Sequence, residues 1–154
     1  MRVLAVLLLG AVATTVPAQT TAFANPVGQG CSGFPGFPAT LTVNQAPVIG
    51  QQTIINPAGL YAADGILWVS AGAPAPPTPV LGCTTWLDLN SLAVLTPFIT
   101  GTAGVGWILV NVPNDPVLLG AELTLQATMG GIALPPGAPP VITEALHVRI
   151  GDQL

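Results

Sequence analysis

The sequence predicts an all-β fold, an antiparallel β-sandwich of about eight strands, with a related β-barrel as the alternative. Three observations lead there. Several segments alternate apolar and polar residues with a period of two, the pattern of a strand with one buried face. Glycine and proline, 18 and 17 of the 154 residues, fall between the apolar runs and so punctuate short strands joined by turns. Charged residues make up 5% of the chain, against about 25% in an average globular protein. The chain is nevertheless rich in valine, isoleucine and leucine, the apolar content that a disordered chain lacks.

The first residues, MRVLAVLLLGAVATTVPAQTTAFA, read as a secretory signal peptide, because Arg2 gives a positive start and Val3 to Val12 form a short apolar run. Thr14, Thr15, Pro17 and Gln19 interrupt that run well short of the roughly 20 apolar residues that a membrane-spanning helix needs. Small residues at the recognition positions place cleavage after Ala18, with Ala24 as the alternative. Residues 19–154 are then one domain, near the common size of about 100 to 150 residues. No apolar tail or basic cluster closes the chain, so the expected product is secreted, soluble and not inserted in a membrane.

Three segments carry the clearest alternation. In ATLTVNQ, Leu41 and Val43 oppose Thr40, Thr42 and Asn44. In AELTLQATM, Leu123, Leu125, Ala127 and Met129 oppose Glu122, Thr124, Gln126 and Thr128, and the polar set is expected to face water. In EALHVRIG, Leu146, Val148 and Ile150 point inward and leave His147 and Arg149 on a wet face. QQTIIN, DGILWVS, CTTWLDL, LAVLTPFIT and VGWILVNV are further strands, several of them apolar on both parities, which predicts cover on both faces or an interaction surface. AGAPAPPTPV and LPPGAPPV are stiff connections that cannot pair as central strands, because proline donates no backbone hydrogen bond.

Composition excludes several chemistries. After removal of the leader, Arg149 is the only lysine or arginine left, whereas a nucleic-acid binder needs clustered cations to displace phosphate counterions. A polybasic membrane patch and the cationic clamps of phosphoryl transfer are missing for the same reason. Cys31 and Cys83 form a pair in an exported chain, where a disulfide is the ordinary outcome. His147 is the single histidine. A Ser-His-acid arrangement would need Ser32, Ser70 or Ser91 beside it, and no nucleophile-elbow pattern occurs. One histidine with two bridged cysteines does not make a zinc site. The strand parities of Asp88, Glu122 and Glu144 give no reason for a carboxylate pair to converge. The predicted protein is non-catalytic and takes no cofactor.

Binding candidates are few. Trp68 and Tyr61 are the rings available to stack on a glycan or small molecule, while Trp107, in parity with Val105 and Leu109, and Trp86, close to Cys83, are expected in the core. Asn111, Asn114 and Asp115 are the calcium candidates, but calcium needs about six to eight oxygens. The competing reading makes PNDP a turn: Pro113 and Pro116 end one strand and preset φ, and Asn114 and Asp115 bond their own backbone. The chain also has no lysine, a residue with which natural sheets protect exposed edges. Self-association or cover by a cell-envelope partner is therefore expected.

Taken together, GQGC, LGCTTWLDL, GWILVNVPNDPVLLGAELTLQA and ALHVRIG resemble a β-rich domain common in secreted proteins of planctomycete-type bacteria. The resemblance spans most of residues 19–154, rests on turns and packing positions, and implies a sandwich, a Cys31 to Cys83 bridge and an extracytoplasmic location. It brings no catalytic residues. The function expected is a secreted structural or adhesive module, with a glycan or small-molecule binding module as the alternative and a hydrolase third.

Overall fold

The structure, a computed structural model, describes residues 19–31, 38–130 and 141–153. Among them it is all-β. In chain order the strands are β1 (Phe23–Val27), β2 (Thr40–Val43), β3 (Gln52–Ala58), β4 (Asp64–Ala71), β5 (Thr78–Val80), β6 (Cys83–Thr85), β7 (Ala93–Ile99), β8 (Ile108–Asn111), β9 (Glu122–Gly130), β10 (Val141–Ile142) and β11 (Ala145–Arg149). One turn of 3-10 helix spans Pro116–Leu118. The leader lies outside the described residues, as do most of LPPGAPPV and Ser32.

The strands form three antiparallel sheets. The largest runs β1-β11-β9-β4-β7, with β10 alongside β9; the second runs β2-β3-β8; β5 and β6 make a separate ribbon. The sheets do not close into a barrel, because β1 and β7 end the first and β2 and β8 end the second. The architecture is a sandwich. Its core joins Leu41, Ile55 and Ile108 of the smaller sheet to Leu67, Leu125, Ala127, Met129, Leu146 and Val148 of the larger. Those side chains alternate along their strands as the sequence predicts, so one parity of β9 and of β11 supplies a continuous apolar layer. Gly65 of β4 leaves room for the Phe98 ring, since a Cβ there would fall 2.2 Å from Phe98 Cζ.

Three strands exceed the sequence reading. β1 contains Asn25 and Pro26 and overlaps the alternative cleavage motif, which disguises it; it pairs with β11 from Phe23 opposite Arg149 to Val27 opposite Ala145. β5 contains Pro79 and pairs only with β6, an edge position where proline's missing donor is harmless. β10 is two residues long. It is separated from β11 by Thr143 and Glu144, and the Thr143 hydroxyl accepts from Ala127 N at 3.0 Å while its amide donates to Ala127 O at 2.9 Å.

Predicted orientations are overturned on β9 and beside β8. Thr124 and Gln126 are buried, at 0% and 1% exposure, and do not face water. Their face of β9 is covered by β6 and the chain that follows it. Trp107 is not in the core: it is 74% exposed and Leu109 is 57% exposed. β8 is an edge strand whose inward positions are Ile108 and Val110, with Val112 buried beyond them, so the opposite parity points out.

Candidate functional site

The Cys31–Cys83 disulfide is present, with the two Cα atoms 5.7 Å apart. It ties the end of the N-terminal segment, which pairs at Cys31 with Ile142, to the first residue of β6. Trp86 packs in the same region, half-buried against Gly28. A Cβ on that glycine would fall 1.9 Å from Trp86 Cζ2, and its φ of 72° lies in the left-handed region that glycine favours.

Behind the bridge, Gln126 forms the centre of a buried amide network. Its Oε1 accepts from Thr85 Oγ1 at 2.7 Å, and its Nε2 donates to Thr143 O at 2.8 Å and Thr84 O at 3.1 Å. These bonds join β9 to two other stretches of chain, β6 and the link between β10 and β11. The glutamine therefore fastens the β6 layer to the sheet, which explains why a polar residue occupies a buried position.

Charge is concentrated at the other end of β9. Glu122, His147 and Arg149 meet on one face of β9 and β11, where Arg149 stands opposite Glu122 in register. Arg149 Nε donates to Glu122 Oε1 at 3.0 Å, and Arg149 Nη2 closes on the same oxygen. His147 Nε2 lies 3.1 Å from Glu122 Oε2, and because a carboxylate only accepts, the proton of that bond sits on Nε2. Phe23 of β1 completes the cluster, with its ring 4.8 Å from Arg149 Cζ and 4.9 Å from the His147 ring, edge to face. The Arg149 guanidinium, followed by His147, holds the Glu122 carboxyl below the usual carboxylate range. His147 is thus half-buried and paired, a correction to the wet-face expectation.

Among the described residues the cluster holds no serine or cysteine nucleophile. Ser70 Oγ accepts from Asp88 N at 3.2 Å, and Ser91 Oγ donates to Asp88 Oδ2 at 3.2 Å, so both serines serve the turn after β6. The Asn90 backbone N–H is the main cause that holds the Asp88 carboxyl below its ordinary range. Thr124, the cross-strand neighbour of His147, donates its hydroxyl to Gly72 O at 3.0 Å. Glu122 is committed to two partners, and its arrangement with His147 and Arg149 is that of a cross-strand brace.

The oxygen-bearing candidates separate into structural roles. Asp115 caps the 3-10 turn, its Oδ1 accepting from Val117 N at 3.0 Å. Asn111 Oδ1 accepts from Gln52 Nε2 at 3.0 Å across β3 and β8. Asn114 packs its side chain over Gly50. Among the described residues no group of three or more histidine, cysteine, aspartate or glutamate side chains is placed to hold a metal ion.

The two ring candidates stand in different environments. Trp68 is half-buried and donates from Nε1 to Thr128 Oγ1 at 2.9 Å. It lines an apolar groove of about 350 Å³ with Leu81, Leu87, Leu89, Leu92 and Ile142. Tyr61 is 58% exposed and packs beside Gly104 in the connection before β4. The more exposed ring is Trp107, which parity reasoning assigned to the core. No charged residue falls between Asp88 and Asp115, and the same stretch holds the buried Phe98, Ile108 and Val112, so the sequence carries no signal that sets Trp107 apart.

Comparison with protein-family models, with curated proteins and with solved structures finds no match for this chain.

Proposed function

We propose that the protein is an exported, non-catalytic structural or adhesive module that associates through the uncharged edges of its two sheets, with a second copy of the chain as the partner. The observation that carries this reading is Trp107, exposed immediately before the edge strand β8 in a stretch without charge. Across from it, β7 ends the larger sheet with Val94 and Ile99 exposed at 55% and 70%. Natural sheets protect such edges with lysine, inward charges or cover. This chain has no lysine, and an uncharged apolar surface is complementary to itself rather than to a charged partner.

The disulfide is compatible with an extracytoplasmic location, and among the described residues no helix is long and apolar enough to cross a membrane. Export through cleavage after Ala18 keeps the fold whole. Thr20, Ala22 and Phe23 all engage the last strand or the residues beyond it, and removal of the chain through Ala24 would take the first two residues of β1. The resemblance to secreted β-rich domains of planctomycete-type bacteria belongs to the same reading.

Sedimentation of the purified protein over a wide concentration range tests it. The expected result is concentration-dependent association that Trp107→Lys abolishes without changing the melting temperature. A strictly monomeric protein that is also not retained on cell-envelope material overturns the proposal. A second reading, a glycan-binding module, is favoured by the exposed rings of Trp107 and Tyr61. Retention on glycans lost in Trp107→Ala, with no self-association in the parent, would select it.

A further inference from the structure

We infer that β8 pairs edge to edge with β8 of a second copy, antiparallel about a two-fold axis at Leu109, so that the two smaller sheets join into one. The inference rests on the self-association proposed above and names its geometry. It starts from which backbone groups along β8 are in use. Gly106 N donates to Pro57 O at 2.8 Å and Val112 N to Gln51 O at 2.9 Å, in the same register that sets Ile108 opposite Ile55 and Val110 opposite Thr53. Residues 106, 108, 110 and 112 therefore turn their backbone groups toward β3, and an antiparallel ladder turns those of the intervening residues the other way. The backbone N–H and C=O groups of Trp107, just before β8, and of Leu109 and Asn111 point away from β3, and among the described residues they have no hydrogen-bond partner. A groove of about 460 Å³ lies beside them, between β8 and the stretch Leu95 to Pro97 of β7, and leaves them accessible.

The other edges of the two sheets are blunted against such pairing. β1 contains Pro26, which has no N–H to offer. β7 contains Pro97, whose carbonyl already accepts from Thr96 Oγ1 at 3.0 Å, and its register with β4 is broken by a shift at Leu67 and Trp68. At the start of β2, Ala39 O accepts from Glu144 N at 3.3 Å, and both β1 and β11 approach that strand. Proline, bulges and cover are the devices with which natural sheets protect their edges. β8 has no proline, no register shift and no charged residue. A free row of backbone donors and acceptors selects an extended strand as its partner.

A second copy suits this row because the row is complementary to itself. With the axis at Leu109, Leu109 stands opposite the partner's Leu109 and Trp107 opposite the partner's Asn111. Every outward N–H of the three residues then meets a carbonyl, whereas any other antiparallel register leaves some of them unused. The side chains agree with the same register. Trp107, Leu109 and Asn111 are exposed and share one parity, so the Trp107 ring reaches diagonally to the partner's Leu109. Charge does not oppose the approach, since none falls between Asp88 and Asp115.

Sedimentation of the purified parent and of Leu109→Pro, with oxidative crosslinking of Leu109→Cys, tests it. The parent should reach a dimer as its concentration rises. Leu109→Pro removes an N–H that the single molecule does not use, at an edge where proline is tolerated. It should weaken dimerisation about thirtyfold, the loss expected for one hydrogen bond from each copy. Leu109→Cys should crosslink to itself under mild oxidation, because directly opposed Cα atoms in such a pair lie about 5.5 Å apart, within the reach of a disulfide. Ile99→Cys on β7 should not. Dimerisation that Leu109→Pro leaves unchanged, or crosslinking through Ile99→Cys in place of Leu109→Cys, overturns the β8 pairing and leaves the association standing. A parent that stays monomeric, as it would if this edge served a glycan or a foreign peptide, overturns the inference together with the second copy as partner. The crosslinking result decides the matter if Leu109→Pro fails to fold.

Discussion

The two edges of the larger sheet differ in how they meet solvent. At the β1 edge, Phe23, Glu122, His147 and Arg149 occupy one another: Glu122 accepts from both basic side chains, and Phe23 lies against both. At the β7 edge, Val94 and Ile99 lie exposed, and across the sandwich so do Trp107, just before β8, and Leu109 of β8. The described chain's single arginine and single histidine are both spent at the first edge, whereas β7 and β8 themselves carry no charged residue. The lesson is that low charge here is not spread evenly. It is a division between a closed end, whose polar groups are internally satisfied, and an open end with exposed apolar side chains.

The strongest way to break this contrast is to remove the cover on the Gln126 face. Cys31→Ala combined with Cys83→Ala opens a crosslink spanning 52 residues and should lower stability by about 4 kcal/mol in the chain-entropy description. Denaturant unfolding measures the loss, and binding of a hydrophobic dye should rise as the β5-β6 ribbon loosens. If stability is unchanged, the ribbon is held by its packing and the bridge contributes little to closing that face.

Next in size is an exchange made in opposite directions at the covered face of β9 and at the open edge. Gln126→Leu preserves bulk but leaves Thr84 O, Thr143 O and the Thr85 hydroxyl without the amide. With some of those groups finding other partners, the cost should be about 3 kcal/mol. Leu109→Gln, the reverse substitution on the open edge, should change stability by no more than about 0.5 kcal/mol, because Leu109 is exposed. Equal effects from the two variants would erase the distinction between closed and open regions.

These two positions also mark what the sequence discloses. Alternation identifies the apolar parity of β9 and β11 correctly, because Leu123, Leu125, Leu146 and Val148 all contribute to one layer. It says nothing about what lies over the other parity. Gln126 reads as a wet residue because its partners, Thr84 and Thr85, come from about 40 residues away and are brought near by long-range pairing that local periodicity does not encode. Trp107 fails for another reason: both parities of GWILVNV are apolar, so the pattern is silent on which faces inward, and the register that sets Ile108 beside the buried Ile55 decides it. The PNDP turn is legible because proline and Asx chemistry act locally, and Asp115 caps its turn as such residues do. The Glu122 brace is not legible, since it depends on the register that sets Arg149 opposite Glu122.

The smallest expected effect concerns that brace and its pH dependence. The Arg149 guanidinium, then His147, lower the folded-state pKa of Glu122. A carboxyl depressed in the folded state contributes stability that is fully present above its unfolded value, about 4.3, and is lost as pH falls through the folded value. Asp88, held low chiefly by the Asn90 backbone N–H, contributes in the same direction. The melting temperature should therefore be insensitive to Glu122 ionisation near neutral pH and should decline below pH of about 4. Glu122→Gln should flatten part of that acid decline and leave the Asp88 part in place. The change should be modest because Glu122 is 26% exposed and Arg149 41% exposed, and solvent screens such pairs. Added salt should narrow the difference between parent and variant further. A parent protein whose acid limb is unaffected by Glu122→Gln would mean that the charges at the closed end are arranged without being coupled, and the contrast would then rest on Gln126 and the exposed edge alone.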